Sequence, residues 1–459
     1  MKFAINFILI SLFGVFIFPE IYAALAFGLT LSIGLQLFLK SNDSFMFREW
    51  TLFLYASNYL LSPAITFQLK TSQQLTYAMK IPSNEYFNLA FPGFILFSLG
   101  LFLIPNQLFR PEFNRVKQAA LINERFLLQT TITGIILRIF SDVFPGELGF
   151  FVYLLSMVRF VGAFSLFGTN TKKYSWLAVL VLLIELFYGF RSGMYHDAIM
   201  WVMFFALFYV YTIKPTMRFK LIGASCLIFL VLFVQAIKAT YREQVWTGDK
   251  EASIETISSV GSSKANSESL LGNDNLLSTL NRGNQAWIFA STVDRMDRYK
   301  DFQGMTNVNK YLEAALLPRF LAPNKLTSGN KEIFNQFSGH SINENTSMGL
   351  GIFADGYIAY GDWGVYIFCF TLGLIFSLTF KLVERWTKIS PFYVLLLLPM
   401  LNYAVRPDCE LQTTINHLAK SVVVYGALVY FTKNRFTLDS LDSQNKLLHL
   451  NLATKAKIK

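Results

Sequence analysis

The chain has 459 residues, 53% of them hydrophobic and only 15% charged, with a formal net charge of +11. Soluble domains carry about 25% charged residues, so a soluble globular protein is excluded, as are disordered, collagen-like and disulfide-stapled chains. Forty-seven Phe, 21 Tyr and seven Trp suit side chains whose surroundings are lipid, and an all-α polytopic membrane protein is expected.

A bilayer core takes about 20 apolar residues per helix, and twelve segments are predicted to cross it. They are Phe3–Phe18, Ile21–Leu39, Trp50–Phe67, Asn88–Ile104, Phe126–Phe144, Phe150–Phe167, Tyr174–Phe190, Ala198–Ile213, Leu221–Ile237, Trp363–Phe380, Phe392–Val405 and Leu411–Phe431. The eleventh is short, and the twelfth carries His417 and Lys420. Lys2, an apolar run and Ala24-Leu25-Ala26 resemble a cleaved signal peptide. Apolar character resumes past Pro19-Glu20, however, and predicts a helical hairpin instead.

With the N-terminus in the cytoplasm, Lys and Arg concentrate in the loops and tails of that side, and Asp and Glu on the other. That bias orients membrane proteins. Both termini are expected inside, and the basicity reports topology, with no nucleic-acid partner. Four parts are expected: a nine-helix membrane part over 1–237, a large external loop over 238–362, three further membrane helices over 363–431, and a cytoplasmic tail over 432–459.

The external loop begins with flexible Ser- and Asn-rich chain from Ser258 to Ser269. Amphipathic spacing predicts a helix over Leu276–Tyr299 and another over Val308–Leu317, stopped by Pro318. Glycines and aromatics then crowd Gly349–Gly364, which reads as a re-entrant or interfacial segment.

Chemistry can be sought in three places. Gly189-Phe190-Arg191-Ser192-Gly193 joins the seventh and eighth segments, and glycines let backbone approach a ligand. A guanidinium there forks onto phosphate oxygens as lysine cannot, although interfacial anchoring is the plainer role for Arg191. Within the membrane, Arg159 and Glu185 are expected to pair, because buried charges in lipid seek one another. The external loop is richest, with Asn281-Arg282-Gly283, Pro318-Arg319-Phe320-Leu321-Ala322-Pro323-Asn324-Lys325, Gly339-His340-Ser341, Glu344, Asn345-Thr346-Ser347, Phe353-Ala354-Asp355-Gly356-Tyr357 and Tyr360-Gly361-Asp362-Trp363-Gly364. No phosphate-cradling loop and no His-Glu-x-x-His pair is present, and four scattered histidines make no zinc cluster.

Together these segments resemble bacterial oligosaccharide repeat-unit polymerases of the O-antigen polymerase (Wzy) type. The resemblance covers the topology throughout, but its motifs are confined to about Gly189–Asp197 and Asn281–Gly373. It implies a membrane fold of the C-type glycosyltransferase kind in a bacterial inner membrane. It also implies a metal-independent polymerase, without cofactor, that joins polyprenyl-diphosphate-linked oligosaccharides on the outer face. A flippase and a chain-length regulator are the implied partners.

By position Arg191 matches the first diphosphate-holding arginine of the family, and either Arg282 or Arg319 the second, with Lys325 and Asp355 among the substrate contacts. His340, Glu344 or Asp355 would serve the acceptor hydroxyl as base. The related O-antigen ligases carry a histidine motif whose first part is matched by His340-Ser341 and, after nine residues, Gly351. Ala354 then departs from it, which leaves a ligase as the alternative and a lipid-oligosaccharide flippase or transporter as the third reading.

Overall fold

The computed structural model describes residues 2–69, 77–108, 113–144, 146–169, 173–192, 195–246, 253–264, 270–317, 321–322, 324–326, 329–342 and 348–435. These are helical throughout, with no strand among the described residues. Helix falls on all twelve predicted segments. Six helical stretches are long and apolar enough to cross a membrane: Ile21–Lys40, Ser83–Phe102, Leu148–Gly168, His196–Ile213, Met217–Lys238 and Ile352–Thr387. Lys2–Ile17 and Pro391–Leu401 are apolar but shorter.

Local chemistry explains why some other segments are less regular. The third predicted segment is helical over Phe47–Ala56, widens into a π-helical turn at Ser57–Leu61, and continues over Ser62–Leu69. Pro63 has no N–H to give the carbonyl of Tyr59, so that acceptor is orphaned. The Tyr86 hydroxyl, donating at 2.9 Å, takes it up. In Leu411–Thr432, buried His417 and half-buried Lys420 dilute the apolar character.

Lys2–Ile17 and Ile21–Lys40 pack as the predicted hairpin. The most extensive seam joins Ser83–Phe102 to Ile352–Thr387. Small residues allow it, as is common between helices in lipid. A Cβ on Gly100 would come within 2.3 Å of the Phe370 carbonyl oxygen, and one on Gly373 within 2.2 Å of the Phe97 oxygen.

The long helix Ile352–Thr387 is kinked at Tyr360 and Gly361, where φ of +60° demands glycine. Its first part covers much of the segment expected to be re-entrant or interfacial, Gly349–Gly364. Ile352–Ala359 is buried throughout, with Phe353 stacked on Tyr59 at 4.0 Å between ring centres. The boundary drawn at Asp362 falls beside that kink, where two helices join.

The segment between Met217–Trp246 and the kinked helix forms a helical roof over one end of the bundle. Its helices are Ile254–Lys264, Asn273–Arg282, Ala286–Tyr299, Met305–Leu316 and Lys331–Ser338. The single helix predicted over Leu276–Tyr299 is two. Between them Asn284 caps the second helix, its Oδ1 taking the Ala286 N–H at 3.0 Å while its Nδ2 donates to Thr66 at 2.9 Å. Val308–Leu317 is observed as Met305–Leu316. The tail from residue 436 lies outside the described residues.

Candidate functional site

Along Ala286–Tyr299, residues Ser291, Asp294, Arg295 and Arg298 fall three, four and seven apart and share one face. Facing them are Lys80, which precedes Ser83–Phe102, and the end of Lys331–Ser338 with Gly339 and His340. Between them lies a cleft of about 410 Å³. Three cations line it. Arg298 is held by Asp294 through bonds of 2.7 and 3.0 Å. Arg295 instead rests its guanidinium on the Tyr299 ring at 5.1 Å. The surplus positive charge suits an anion.

His340 reaches the cleft because Gly339 ends its helix in the left-handed region, at φ of +71°, with its N–H on the Asn335 carbonyl. The His340 N–H donates to Ser338 Oγ at 3.2 Å. The ring meets the edge of Trp287 and places Nε2 3.0 Å from Ser291 Oγ. Burial first, and the charge of Lys80 second, push its pKa below the ordinary histidine value. A neutral imidazole can accept a proton, so the cleft combines anion-holding groups with a base.

A second charged region sits where the loop 402–410 meets the start of His196–Ile213. Arg406 forks onto Asp408 at 2.9 and 3.2 Å and reaches Asp197 at 3.2 Å. Asp197 also takes the Tyr403 hydroxyl at 2.7 Å and that of Tyr153 at 3.5 Å. The same loop accepts the Tyr59 hydroxyl on the Pro407 carbonyl at 3.0 Å. At its end, Glu410 takes the Gly329 N–H at 2.7 Å. Burial raises the Glu410 pKa, against that bond and the Thr413 hydroxyl. Nearby, fully buried Arg159 pairs with Glu185, as expected, and with both oxygens of Ser156. Arg138 joins at 3.8 Å and lies over the Tyr188 ring.

Of the candidate catalytic and binding residues that are described, His340 lines the cleft, with its neighbour Gly339. Arg191 is exposed at the last turn of Ser175–Ser192, beside an apolar corner formed by Phe190, Tyr195, Val234 and Tyr241. Arg282 is exposed at the end of Asn273–Arg282, and Lys325 donates to the Leu317 carbonyl at 2.6 Å. Arg319 and Glu344 lie outside the described residues.

Asp355 lies away from the cleft lining. Only 4% exposed, it accepts the Leu411 N–H at 2.7 Å and the Tyr311 hydroxyl at 3.4 Å, and so caps Leu411–Thr432 from a neighbouring helix. In this structure its partners are the backbone of Leu411 and the Tyr311 hydroxyl.

Sequence reasoning missed Lys80, Ser291, Arg295, Arg298 and Arg406. The signal for the helix residues was their shared face. For Arg406 it was three charges, with Asp408 and Glu410, in a loop between two apolar segments. Among the described residues no three His, Cys, Asp or Glu side chains converge as metal ligands.

No curated protein and no solved structure matches the chain. A family model described as a domain of unknown function, DUF8712, matches residues 56–388, a span that holds the whole cleft and leaves out the Arg406 loop. The chain belongs to that family.

Proposed function

We propose that the protein is a membrane glycosyltransferase that polymerises polyprenyl-diphosphate-linked oligosaccharide repeat units. The observation that carries this reading is the cleft in which Lys80, Arg295, Arg298 and His340 converge under the helical roof. Transfer of a glycosyl group from a diphosphate needs two things from a protein. Developing negative charge on the leaving diphosphate must be stabilised, which cations placed beside it do. The acceptor hydroxyl must lose a proton, for which neutral His340 is the base.

In this reading Lys80 and Arg295 hold the diphosphate of one substrate. Arg191, at the same end of the bundle, together with Arg282 or Arg319 and Lys325, engages the second lipid-linked unit. Twelve spans, with the roof on the outer face of a bacterial inner membrane and both termini in the cytoplasm, complete the proposal. It is consistent with the charge asymmetry of the loops. A cysteine at Ser262 should then react with an impermeant thiol reagent in spheroplasts; protection there inverts the topology.

The ligase alternative is favoured by one specific feature, the motif start His340-Ser341 with Gly351. Deleting the gene and examining surface polysaccharide separates the readings. Loss of long chains with single-repeat capping retained is the polymerase result. Loss of all capping rejects it in favour of a ligase or flippase. Arg191→Lys keeps the charge but loses the bidentate fork, and should lose most activity at unchanged protein level. Full activity would return Arg191 to an interfacial anchor.

A further inference from the structure

No charge interrupts the kinked helix between Asp362 and Lys381. From Trp363 to Lys381 it rises about 27 Å at 1.5 Å per residue, close to the roughly 30 Å of a bilayer's hydrocarbon core. Trp363 is 72% exposed, and Ile367 and Leu378, spaced to share its helix face, are exposed further along. That face is apolar where the helix crosses the membrane and ends in a tryptophan beside Asp362. Such a tryptophan belongs at the boundary between acyl chains and headgroups, where indole rings collect.

The roof is tied to the helix at this level. The carbonyls of Ile358 and Ala359, just before the kink, accept the N–H groups of Gln303 and Gly304 at 2.9 and 3.0 Å. A Cβ on Gly361 would lie 3.5 Å from the Phe302 ring. Around this junction Tyr299, Phe302, Met305 and Tyr360 are exposed, Tyr299 by 68%. Arg298 and Lys300 border them, both more than half exposed although paired with Asp294 and Asp297. Large apolar side chains gathered on a surface mark a contact, and this surface continues the outer face of a membrane-crossing helix. Aromatic rings interleaved with long cations suit a headgroup layer, which offers acyl chain on one side and phosphate on the other.

We infer that Tyr299, Phe302, Met305, Tyr360 and Trp363 form an interfacial edge that seats this side of the roof in the phospholipid headgroup layer. Nothing in this seating depends on the reaction proposed above. Tyr299 also lines the cleft, with Arg295 over its ring. The Tyr299 wall of the cleft therefore lies at the depth of lipid phosphates, and an anion carried on a lipid meets Arg295 without leaving its leaflet.

The test measures depth. The full chain is placed in phosphatidylcholine nanodiscs containing lipids with a nitroxide on the headgroup, high on the acyl chain, or near its terminal methyl. Seven tryptophans contribute to the emission, and the part lost in Trp363→Phe belongs to Trp363. The headgroup and upper-chain labels should quench that part about twofold more than the terminal label does. Tyr299→Trp and Phe302→Trp, each made in the Trp363→Phe chain, add one indole to the edge of the roof. The emission each adds should be quenched by the headgroup label and little by iodide in the surrounding water. Either variant decides alone, so failure of one to fold leaves the test intact. Quenching by iodide and by no lipid label puts the edge in water and overturns the inference. Emission that neither lipid labels nor iodide reach overturns it too, because a protein partner or a second copy then covers the edge.

Discussion

Arg406 and Arg295 carry the same guanidinium into different surroundings. Three nitrogens of Arg406 are taken up by two carboxylates, with Tyr403 beside them. Arg295 lies over an aromatic ring and has no carboxylate partner among the described residues, while the adjacent Asp294 is committed to Arg298. Partnered charges inside the bundle join a loop to the ends of helices. A charge left over at the wall of a cleft is available to a ligand. Substitution in the first region should therefore cost stability, and in the second activity.

The largest effect is expected at Glu185. Removing its carboxylate leaves fully buried Arg159 without its partner, and breaking such a pair costs about 3–5 kcal/mol. Glu185→Ala should lower the unfolding temperature in detergent steeply or abolish accumulation. Near-normal stability would show that water reaches Arg159 and solvates its charge. Arg406→Ala comes next, at about 2–3 kcal/mol, because the loop it anchors is partly reached by solvent. Arg406→Lys should recover only part of that, since the fork onto Asp408 is lost.

Arg295→Ala sharpens the comparison from the other side. Stability should change by no more than about 0.5 kcal/mol, while polymerisation of lipid-linked repeats falls on the order of 100-fold. A destabilised but active variant would place Arg295 with the structural charges. At Lys80, where turnover should also fall because a diphosphate contact is lost, the smallest effect is the shift in pH dependence. Its charge disfavours the imidazolium of His340, so Lys80→Gln should raise the His340 pKa. The acid limb of the pH–rate profile should move to higher pH, because the neutral, proton-accepting form is lost sooner on acidification. An unmoved limb would mean that burial alone sets the pKa.

The helical segments were legible because an apolar run long enough for a bilayer has few other uses. What the sequence hid was where one residue breaks a run: Pro63 at the π-helical turn, and Asn284 where an even amphipathic pattern conceals two helices. His340 stood out by its neighbours Gly339 and Ser341. Lys80 and Arg295 did not, because their meeting depends on the fold bringing a loop from the first part of the chain against a distant helix. The bond from the Leu411 N–H to Asp355 was hidden for the same reason, since no local pattern announces a partner so far along the chain.

The kinked helix carries a consequence for dissecting the protein. Its first eight residues, Ile352–Ala359, pack on both parts: Phe353 lies against Tyr59 and Asp355 on the end of Leu411–Thr432, while the carbonyls of Ile358 and Ala359 take the N–H groups of Gln303 and Gly304 and the Tyr357 hydroxyl donates to Asp297. A soluble fragment cut at Asp362 would present that buried face to water. One cut before Ile352 would take the cap from a bundle helix. The roof and the bundle are thus one folding unit threaded through a single element. Swapping roofs between family members should therefore fail with a crossover on either side of Ile352–Ala359 unless the contacts of that segment on both parts are kept.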